Sequence, residues 1–242
     1  MNFINTIDKL GDISVFKHLV ERTLTEFQDD KIQKVKAYAF AKSKELASIN
    51  LPNVTYIDTR AFSNCNKLTD IEFLSVTDIQ QGFRDCKNLK AVSFPTSPTT
   101  GYISFGGCSS LETVNFPKAT VLGNACFSDC FSLKKVDFPL VTFVRTSSLS
   151  QCKSLTQLIL RSETMATLEN SNFLNKCCHF LGTVDTTYNP NGLTDGYIYV
   201  PRALVNDYKV ATNWSVYASQ FRALEDYTVD STITGELDES KI

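Results

Sequence analysis

The 242-residue chain has almost no net charge and no long apolar segment. It carries 24 Lys and Arg residues against 26 Asp and Glu residues, which gives a formal net charge of -2. Nucleic-acid-binding proteins are normally basic, so we expect no nucleic-acid partner. No apolar run approaches the roughly 18 residues that span a bilayer, so we expect no membrane insertion. Residues 1–9 lack a basic stretch followed by an apolar one, and a secretory signal is therefore not predicted.

Residues that commonly carry catalysis are also scarce. The chain has two histidines, His18 and His179, and no G-x-S-x-G, Walker, H-E-x-x-H or dinucleotide-binding motif. His179 follows Cys178 directly, and adjacent residues seldom align a nucleophile with its base. Zinc ligands usually come as C-x-x-C pairs, whereas this chain offers only Cys126-x-x-x-Cys130 and Cys177-Cys178-His179. We therefore predict no enzyme, no metal and no cofactor, and keep a metal protein or enzyme built on Cys177, Cys178 and His179 as the weakest alternative.

Phenylalanine and cysteine are abundant, with 17 and eight residues, and both recur with one period. One column of the repeat contains Phe40, Phe62, Phe83, Phe105 and Phe127, which lie 22, 21, 22 and 22 residues apart, and Leu149 continues it. Three residues later comes a second column, which contains Ser43, Cys65, Cys86, Cys108, Cys130 and Cys152. Neighbouring coils would bring these thiols within disulfide reach, but a chain without an export signal favours reduced, buried cysteines.

The repeat unit reads A-F-x-x-C-x-x-L-x-x-[IV]-x-[LF]-P, and its tail has the L-x-x-I-x-L pattern of a leucine-rich repeat. A 22-residue coil cannot bury its apolar side alone, but stacked coils bury one continuous core. Alternation sends Val114 and Phe116 inward and Thr113 and Asn115 outward. The pattern predicts a β-rich solenoid of about 22-residue coils with a parallel sheet and helical N- and C-terminal caps.

The repeat resembles the BspA-like leucine-rich repeat family of bacterial surface proteins, some protist proteins and phage-associated proteins. The resemblance is carried by residues 61–68, 125–133 and 136–139, which read AFSNCNKL, ACFSDCFSL and VDFP. It covers residues 24–160 closely and continues more weakly to about residue 227. It implies a curved solenoid with a sheet on one side, and a role in binding or adhesion.

The period also suggests where the chain divides. We predict an N-terminal helical cap over residues 1–23, a repeat array over 24–160, an irregular last coil with a strand-helix cap over 161–227, and a disordered acidic tail over 228–242. Within the cap we expect a loop at 186–196, a strand at 197–200 and a helix from Pro201 through Tyr208. Helical spacing predicts a second helix that contains Trp214, Tyr217, Ala218 and Phe221, with Trp214 in the core.

The outward side chains of the strands form the predicted ligand-binding face. Its residues are Glu26, Gln28, Asn50, Asp70, Glu72, Ser93, Asn115, Lys135, Asp137 and Gln157. The face is expected to be polar and to lack aromatic anchors, with Tyr102, Tyr188, Tyr197 and Tyr199 lying elsewhere. A solvated sheet without a ligand is an equal alternative.

We therefore predict a non-enzymatic binding or adhesion module that recognises a protein or glycan partner through its solenoid surface. The alternative function is a structural spacer or assembly subunit of a larger particle such as a phage. Because no secretory signal is predicted, we expect a cytoplasmic or virion-associated protein rather than one at the cell surface.

Overall fold

The computed structural model describes residues 24–177, 179–180 and 195–226, and it shows a parallel β-solenoid. Most coils of the repeat supply one longer strand, one two-residue strand and one turn, and apolar columns face inward from all three sides. The coil that begins at residue 91 has isolated bridges in place of the two-residue strand. In the first coil, Phe27 pairs in register with Ile49, and Val35 pairs with Ile57. The sequence period of 22 residues therefore corresponds to one full turn of the solenoid.

The longer strands stack on one side of the solenoid and form what we call the long-strand sheet. Proline directly follows two of them, at positions 139 and 201, and ends the strand because it has no N–H to donate to the ladder. Pairing is parallel within β1-β3, β5-β7-β8 and β10-β12-β14-β15, and β3 contacts β5 while β8 contacts β10. The strands are β1 (Glu26–Gln28), β3 (Ser48–Asn50), β5 (Asp70–Glu72), β7 (Ala91–Ser93), β8 (Thr113–Asn115), β10 (Lys135–Phe138), β12 (Gln157–Leu160), β14 (Tyr197–Val200) and β15 (Phe221–Ala223).

Two-residue strands stack on a second side as the short-strand sheet. They pair in parallel as β2-β4-β6 and as β9-β11-β13. Between these groups, the isolated bridges Gln80–Tyr102 and Thr99–Val121 carry the pairing through the irregular coil at residues 96–103. The strands are β2 (Lys34–Val35), β4 (Tyr56–Ile57), β6 (Asp78–Ile79), β9 (Val121–Leu122), β11 (Phe143–Val144) and β13 (Thr167–Leu168).

The third side, which we call the turn side, contains the Phe and Cys columns. Two residues of each turn have a left-handed backbone, for example Arg60 (φ 55°) and Asn64 (φ 61°) in the second coil. The thiol of Cys65 then donates to the carbonyl of Phe40 at 3.0 Å. The same bond, from each cysteine to the preceding coil, recurs from Cys86, Cys108, Cys130, Cys152 and Cys177. The seven described cysteines are all buried and free of disulfides.

The C-terminal part of the described chain closes the stack with little helix. Pro201 is followed by a 3₁₀ turn at Arg202–Leu204 and by α1 (Val205–Val210), so the helix predicted to run through Tyr208 ends slightly later. The second helix is a 3₁₀ helix at Ser215–Gln220, and further 3₁₀ turns lie at Ser171–Leu174 and Leu224–Asp226.

One expectation for this segment is wrong. Phe221 belongs to β15 and not to the second helix, because residues 221–223 pair with the edge of β14, whose backbone groups would otherwise lack partners in the sheet. Trp214 is buried as predicted. The predicted N-terminal cap at 1–23, most of the loop at 186–196, and the predicted tail at 228–242 lie outside the described residues. No helix in the described part of the chain is long and apolar enough to cross a membrane.

Candidate functional site

The outward face of the long-strand sheet brings the predicted binding residues together. Parallel register aligns their side chains in two rows that run along the solenoid. One row contains Glu26, Ser48, Asp70, Ala91, Thr113, Lys135, Gln157 and Tyr197. The other contains Gln28, Asn50, Glu72, Ser93, Asn115, Asp137, Ile159, Tyr199 and Arg222. All ten predicted residues therefore lie on one face, and their role as ligand contacts stays a prediction.

The first part of this face, from β1 to β8, is polar and exposed. Three carboxylates stand on it, those of Glu26, Asp70 and Glu72, and all three side chains are exposed. The amide of Asn115 donates to the hydroxyl of Ser93 at 3.1 Å, and that hydroxyl lies 3.3 Å from the carboxylate of Glu72. This part has the small polar side chains that the sequence predicts.

The last part of the face, from β10 to β15, is different. Asp137 accepts a bidentate pair from Arg161, with Nε–Oδ1 and Nη2–Oδ2 distances of 2.8 Å each. Both side chains are about one fifth exposed, at 22% for Arg161 and 21% for Asp137. Two planar groups joined by parallel hydrogen bonds fix each other's orientation, so this pair is a rigid polar feature of the surface.

Two tyrosines and an arginine follow on the same end. The guanidinium carbon of Arg222 lies 4.4 Å from the centre of the Tyr197 ring, which is a cation–π contact. The rings of Tyr197 and Tyr199 meet edge to face at 6.3 Å. Ile159, in register between Asp137 and Tyr199, is fully buried although it points outward. We call Asp137, Arg161, Tyr197, Tyr199 and Arg222 the aromatic end of the face.

The expectation that this face lacks aromatic residues is therefore wrong at one end. Tyr197 and Tyr199 pair in register with Gln157 and Ile159, so β14 is the next rung of the sheet. The sequence period does not reveal this continuation, because 40 residues separate Gln157 from Tyr197 instead of 22. The alternation Tyr197-Ile198-Tyr199-Val200 was the available signal, since it matches Gln157-Leu158-Ile159-Leu160 in its inward positions.

The cysteines form a structural column. Burial raises the pKa of the Cys65 and Cys126 thiols to about 12 and that of Cys86 and Cys108 well above its usual value. A thiol with a raised pKa stays protonated at neutral pH, where only a thiolate would act as nucleophile or metal ligand. The protons of Cys65, Cys86 and Cys108 serve in bonds to the preceding coil, whereas Cys126, outside the column, donates to the carbonyl of Ser148 in the following coil.

The proposed Cys177–Cys178–His179 group is not gathered around a common centre in the part that can be seen. The thiol of Cys177 donates to the carbonyl of Leu149 at 2.9 Å, while Nδ1 of His179 lies 2.6 Å from the carboxylate of Asp195. Cys178 lies outside the described residues. Across the described ranges, no three His, Cys, Asp or Glu side chains come close enough together to hold a metal ion.

Comparison with known proteins agrees with this architecture. The family model of the BspA type leucine rich repeat region matches six copies, over residues 12–121 and 80–193. A leucine-rich repeat protein from Eubacterium ventriosum is 26% identical, with a TM-score of 0.58 over 63% of this chain and 43% of that one. One from Bacteroides ovatus is 19% identical, with a TM-score of 0.54 over 83% of this chain and 54% of that one. The chain thus spans about half the length of these structures, and no curated protein matches it.

Proposed function

The chain belongs to the BspA-type leucine-rich repeat family, and from this premise we propose that it is a non-enzymatic module that binds a partner protein. The contact surface is the outward face of the long-strand sheet, centred on its aromatic end. Adhesion to a partner protein is one form of this function. A spacer or assembly subunit of a larger particle is the alternative.

The observation that carries the proposal is the composition of the aromatic end. Tyrosine and arginine are enriched among residues that dominate binding energy at protein interfaces. Here Tyr197, Tyr199 and Arg222 lie together on a rigid sheet, and contact with one another orders their side chains before a partner arrives. A side chain that is already ordered loses less conformational entropy on binding.

The charge of the face differs between its two ends. The first part carries the carboxylates of Glu26, Asp70 and Glu72, whereas the last part carries Lys135 and Arg222 beside the neutral Asp137–Arg161 pair. A partner with the opposite charge gradient would be steered into one orientation, with an association rate that falls as salt is added.

Affinity capture with matched variants tests this function. The wild-type chain, Tyr197→Ala, Tyr199→Ala and the control Tyr102→Ala are immobilised, and proteins retained from extracts of the producing organism and its host are identified by mass spectrometry. Tyr102 is an exposed tyrosine, at 47%, whereas Tyr197 and Tyr199 are half-buried. It lies on the side of the short-strand sheet, where it bridges to Gln80. Each captured protein is then purified and titrated against all four chains.

We expect one protein to bind wild type and Tyr102→Ala equally, and to bind Tyr197→Ala and Tyr199→Ala about tenfold more weakly, which is the loss of about 1.4 kcal/mol. Equal binding by all four chains would place the contact elsewhere and overturn the site. If no protein is retained and light scattering shows self-assembly, the structural alternative replaces the proposal.

A further inference from the structure

A groove crosses the turn side, away from the long-strand sheet, where one coil lacks side chains. The two residues after the Phe column are Ala41-Lys42, Ser63-Asn64, Arg84-Asp85, Gly106-Gly107, Ser128-Asp129 and Ser150-Gln151 in successive coils. The glycine pair therefore leaves a gap between the coil of Asp85 and the coil of Asp129. The gap is a groove of about 410 Å³, which is in the size range of small-ligand sites.

The glycines also let their neighbours lean into the groove. A Cβ atom on Gly106 would lie 2.8 Å from a methyl carbon of Ile103, and one on Gly107 would lie 2.4 Å from Oδ1 of Asp85. Gly107 has a φ of +78°, but Asn64 and Asp85 have positive φ at the same place in their coils. Gly107 therefore differs from the matching residues of the other coils in its missing side chain, and not in its backbone conformation.

The walls of the groove present both hydrogen-bond donors and acceptors, with no net charge. Arg84, Asp85 and Lys87 form one wall, and Asp129 forms part of the other. Nε of Arg84 lies 3.3 Å from Oδ2 of Asp85. Partial burial raises the pKa of Asp129 and Asp85 adds to this rise, although the nearby charges of Lys153 and Lys176 oppose it. The carboxylate stands in the wall of the groove as an acceptor for a ligand that donates.

An apolar surface completes the groove. The Phe131 side chain is 37% exposed beside Asp129, and its ring carries the ammonium of Lys153 at 4.9 Å from the ring centre on one side. The methyl group of Ile103 contributes to the floor. A fitting ligand therefore has hydroxyl groups around its rim and a face of C–H groups.

We infer that this groove binds one pyranose unit of a neutral glycan. A pyranose presents O–H groups that both donate and accept, which suits carboxylates beside cationic donors, and it presents a C–H face that packs on an aromatic ring. An anion would meet two carboxylates, and a purely apolar ligand would leave charged groups unsatisfied. The groove lies on the turn side, whereas the aromatic end lies on the long-strand sheet, so one chain could bind a glycan and a protein at the same time.

The test uses the whole chain and methyl glycosides of glucose, galactose, mannose, N-acetylglucosamine and N-acetylgalactosamine as probes. Saturation-transfer NMR identifies those that bind, and titration gives the dissociation constant. Gly107→Asn fills the groove with the residue that the second coil already carries at this place, and the flexible Asp85 carboxylate, which the new Cβ atom would meet, turns aside. Asp129→Asn and Phe131→Ala remove the acceptor charge and the ring separately, and Asn64→Gly is the control in a coil outside the groove.

We expect at least one glycoside to bind wild type and Asn64→Gly equally. Gly107→Asn should abolish binding, and Asp129→Asn and Phe131→Ala should each weaken it about tenfold. Circular dichroism of each variant confirms that the fold is retained. Failure of all five glycosides to bind, or binding that Gly107→Asn leaves unchanged, overturns the inference. None of these outcomes bears on the protein-binding face, since Tyr197 and Tyr199 are untouched.

Discussion

The interior of the repeat array and the closing segment both pack aromatic rings, but they do so differently. In the array, rings stack within each column, as Phe40, Phe62, Phe83 and Phe105 do within 5° of parallel at 5.0 to 5.6 Å between centres. Edge-to-face contacts occur there only between one column and the other. We define residues 161–226 as the closing segment. It contains a single cluster of aromatic rings, in which most contacts are edge to face. Its members are Phe173, Tyr208, Trp214, Tyr217 and Phe221.

Hydrogen bonding explains the difference. The hydroxyl of Tyr208 accepts from the amide N–H of Ala166, and the indole N–H of Trp214 donates to the carbonyl of Ala166, both at 2.7 Å. Asn213 donates to the carbonyl of Leu168 at 2.9 Å. Ala166 and Leu168 border or belong to β13, the last strand of the short-strand sheet in the described residues. Phenylalanine is thus sufficient to fill the core where another coil follows and pairs with the backbone. Where the sheet ends, side chains with polar tips make the hydrogen bonds to the backbone that the next coil would have made.

Exchanging the two kinds of ring tests this contrast with the largest expected effect. Tyr208→Phe leaves the buried N–H of Ala166 without its partner, and Phe83→Tyr buries a hydroxyl inside a stack of rings. Each should lower the free energy of unfolding by about 2 kcal/mol, measured by urea denaturation. Tyr102→Phe, at an exposed tyrosine, serves as the control and should change it by less than about 0.5 kcal/mol. A neutral Tyr208→Phe would show that the closing segment does not depend on capping the sheet edge.

A rise in pH should destabilise the array before the closing segment, and the effect should be smaller than that of the ring exchanges. The folded pKa of Cys65 is about 12, above the usual value of 9.0, so the folded chain keeps a proton that the unfolded chain loses. Stability is therefore complete below about pH 8.5 and falls as pH rises towards 12, by about 1.4 kcal/mol per pH unit for each such thiol. Tyr208 and Tyr217 also have a raised pKa from burial, but unfolded tyrosine begins to titrate only near pH 10.

Urea denaturation under reducing conditions at about pH 8, 9 and 10 gives this slope. Circular dichroism follows the array, and fluorescence of Trp214, the one tryptophan in the sequence, follows the closing segment. Cys65→Ala should reduce the slope between pH 9 and 10 by about 1.4 kcal/mol per unit. An unchanged slope in this variant would mean that the Cys65 thiol does not titrate as its burial implies.

Ser148→Ala should change the free energy of unfolding least, and it should stabilise the protein where the other changes destabilise it. The hydroxyl of Ser148 is buried and has no hydrogen-bond partner in the described part of the chain, and Ala39 and Ala61 occupy its place in earlier coils. Removing it should raise the free energy of unfolding by about 1 kcal/mol. Ser104→Ala is the matched comparison, because the Ser104 hydroxyl donates to the carbonyl of Ile79 at 3.3 Å. If both variants destabilise equally, the Ser148 hydroxyl has a partner in solution.

The sequence was sufficient for the array because every position there is repeated. Val114 and Phe116 were placed inward and Asn115 outward by alternation alone, and register with Val92 and Ser93 confirms the placement. The buried cysteine column followed from the same period. A mistake about one coil would have contradicted five others, so periodicity corrected local ambiguity.

The closing segment offered no such redundancy. Phe221 lies at helical spacing from Trp214 and Tyr217, yet its partner Ile198 draws it into a strand. Spacing along the chain cannot show that a strand 23 residues away lacks a neighbour. The aromatic end of the outward face is hidden from the sequence for the same reason, since Tyr197 joins the sheet only through tertiary register with Gln157.

The thiol column has a consequence for how such a chain changes length. From Cys65 to Cys152, each donor of this column bonds to a carbonyl 24 or 25 residues earlier, so the partner is always the coil immediately before it. Duplication of one 22-residue unit in the gene would create a new donor together with its own acceptor, and no existing bond would be lost. The closing segment would move outward unchanged. Coil number is therefore free to vary during evolution, while the residues that end the stack must be inherited as one block.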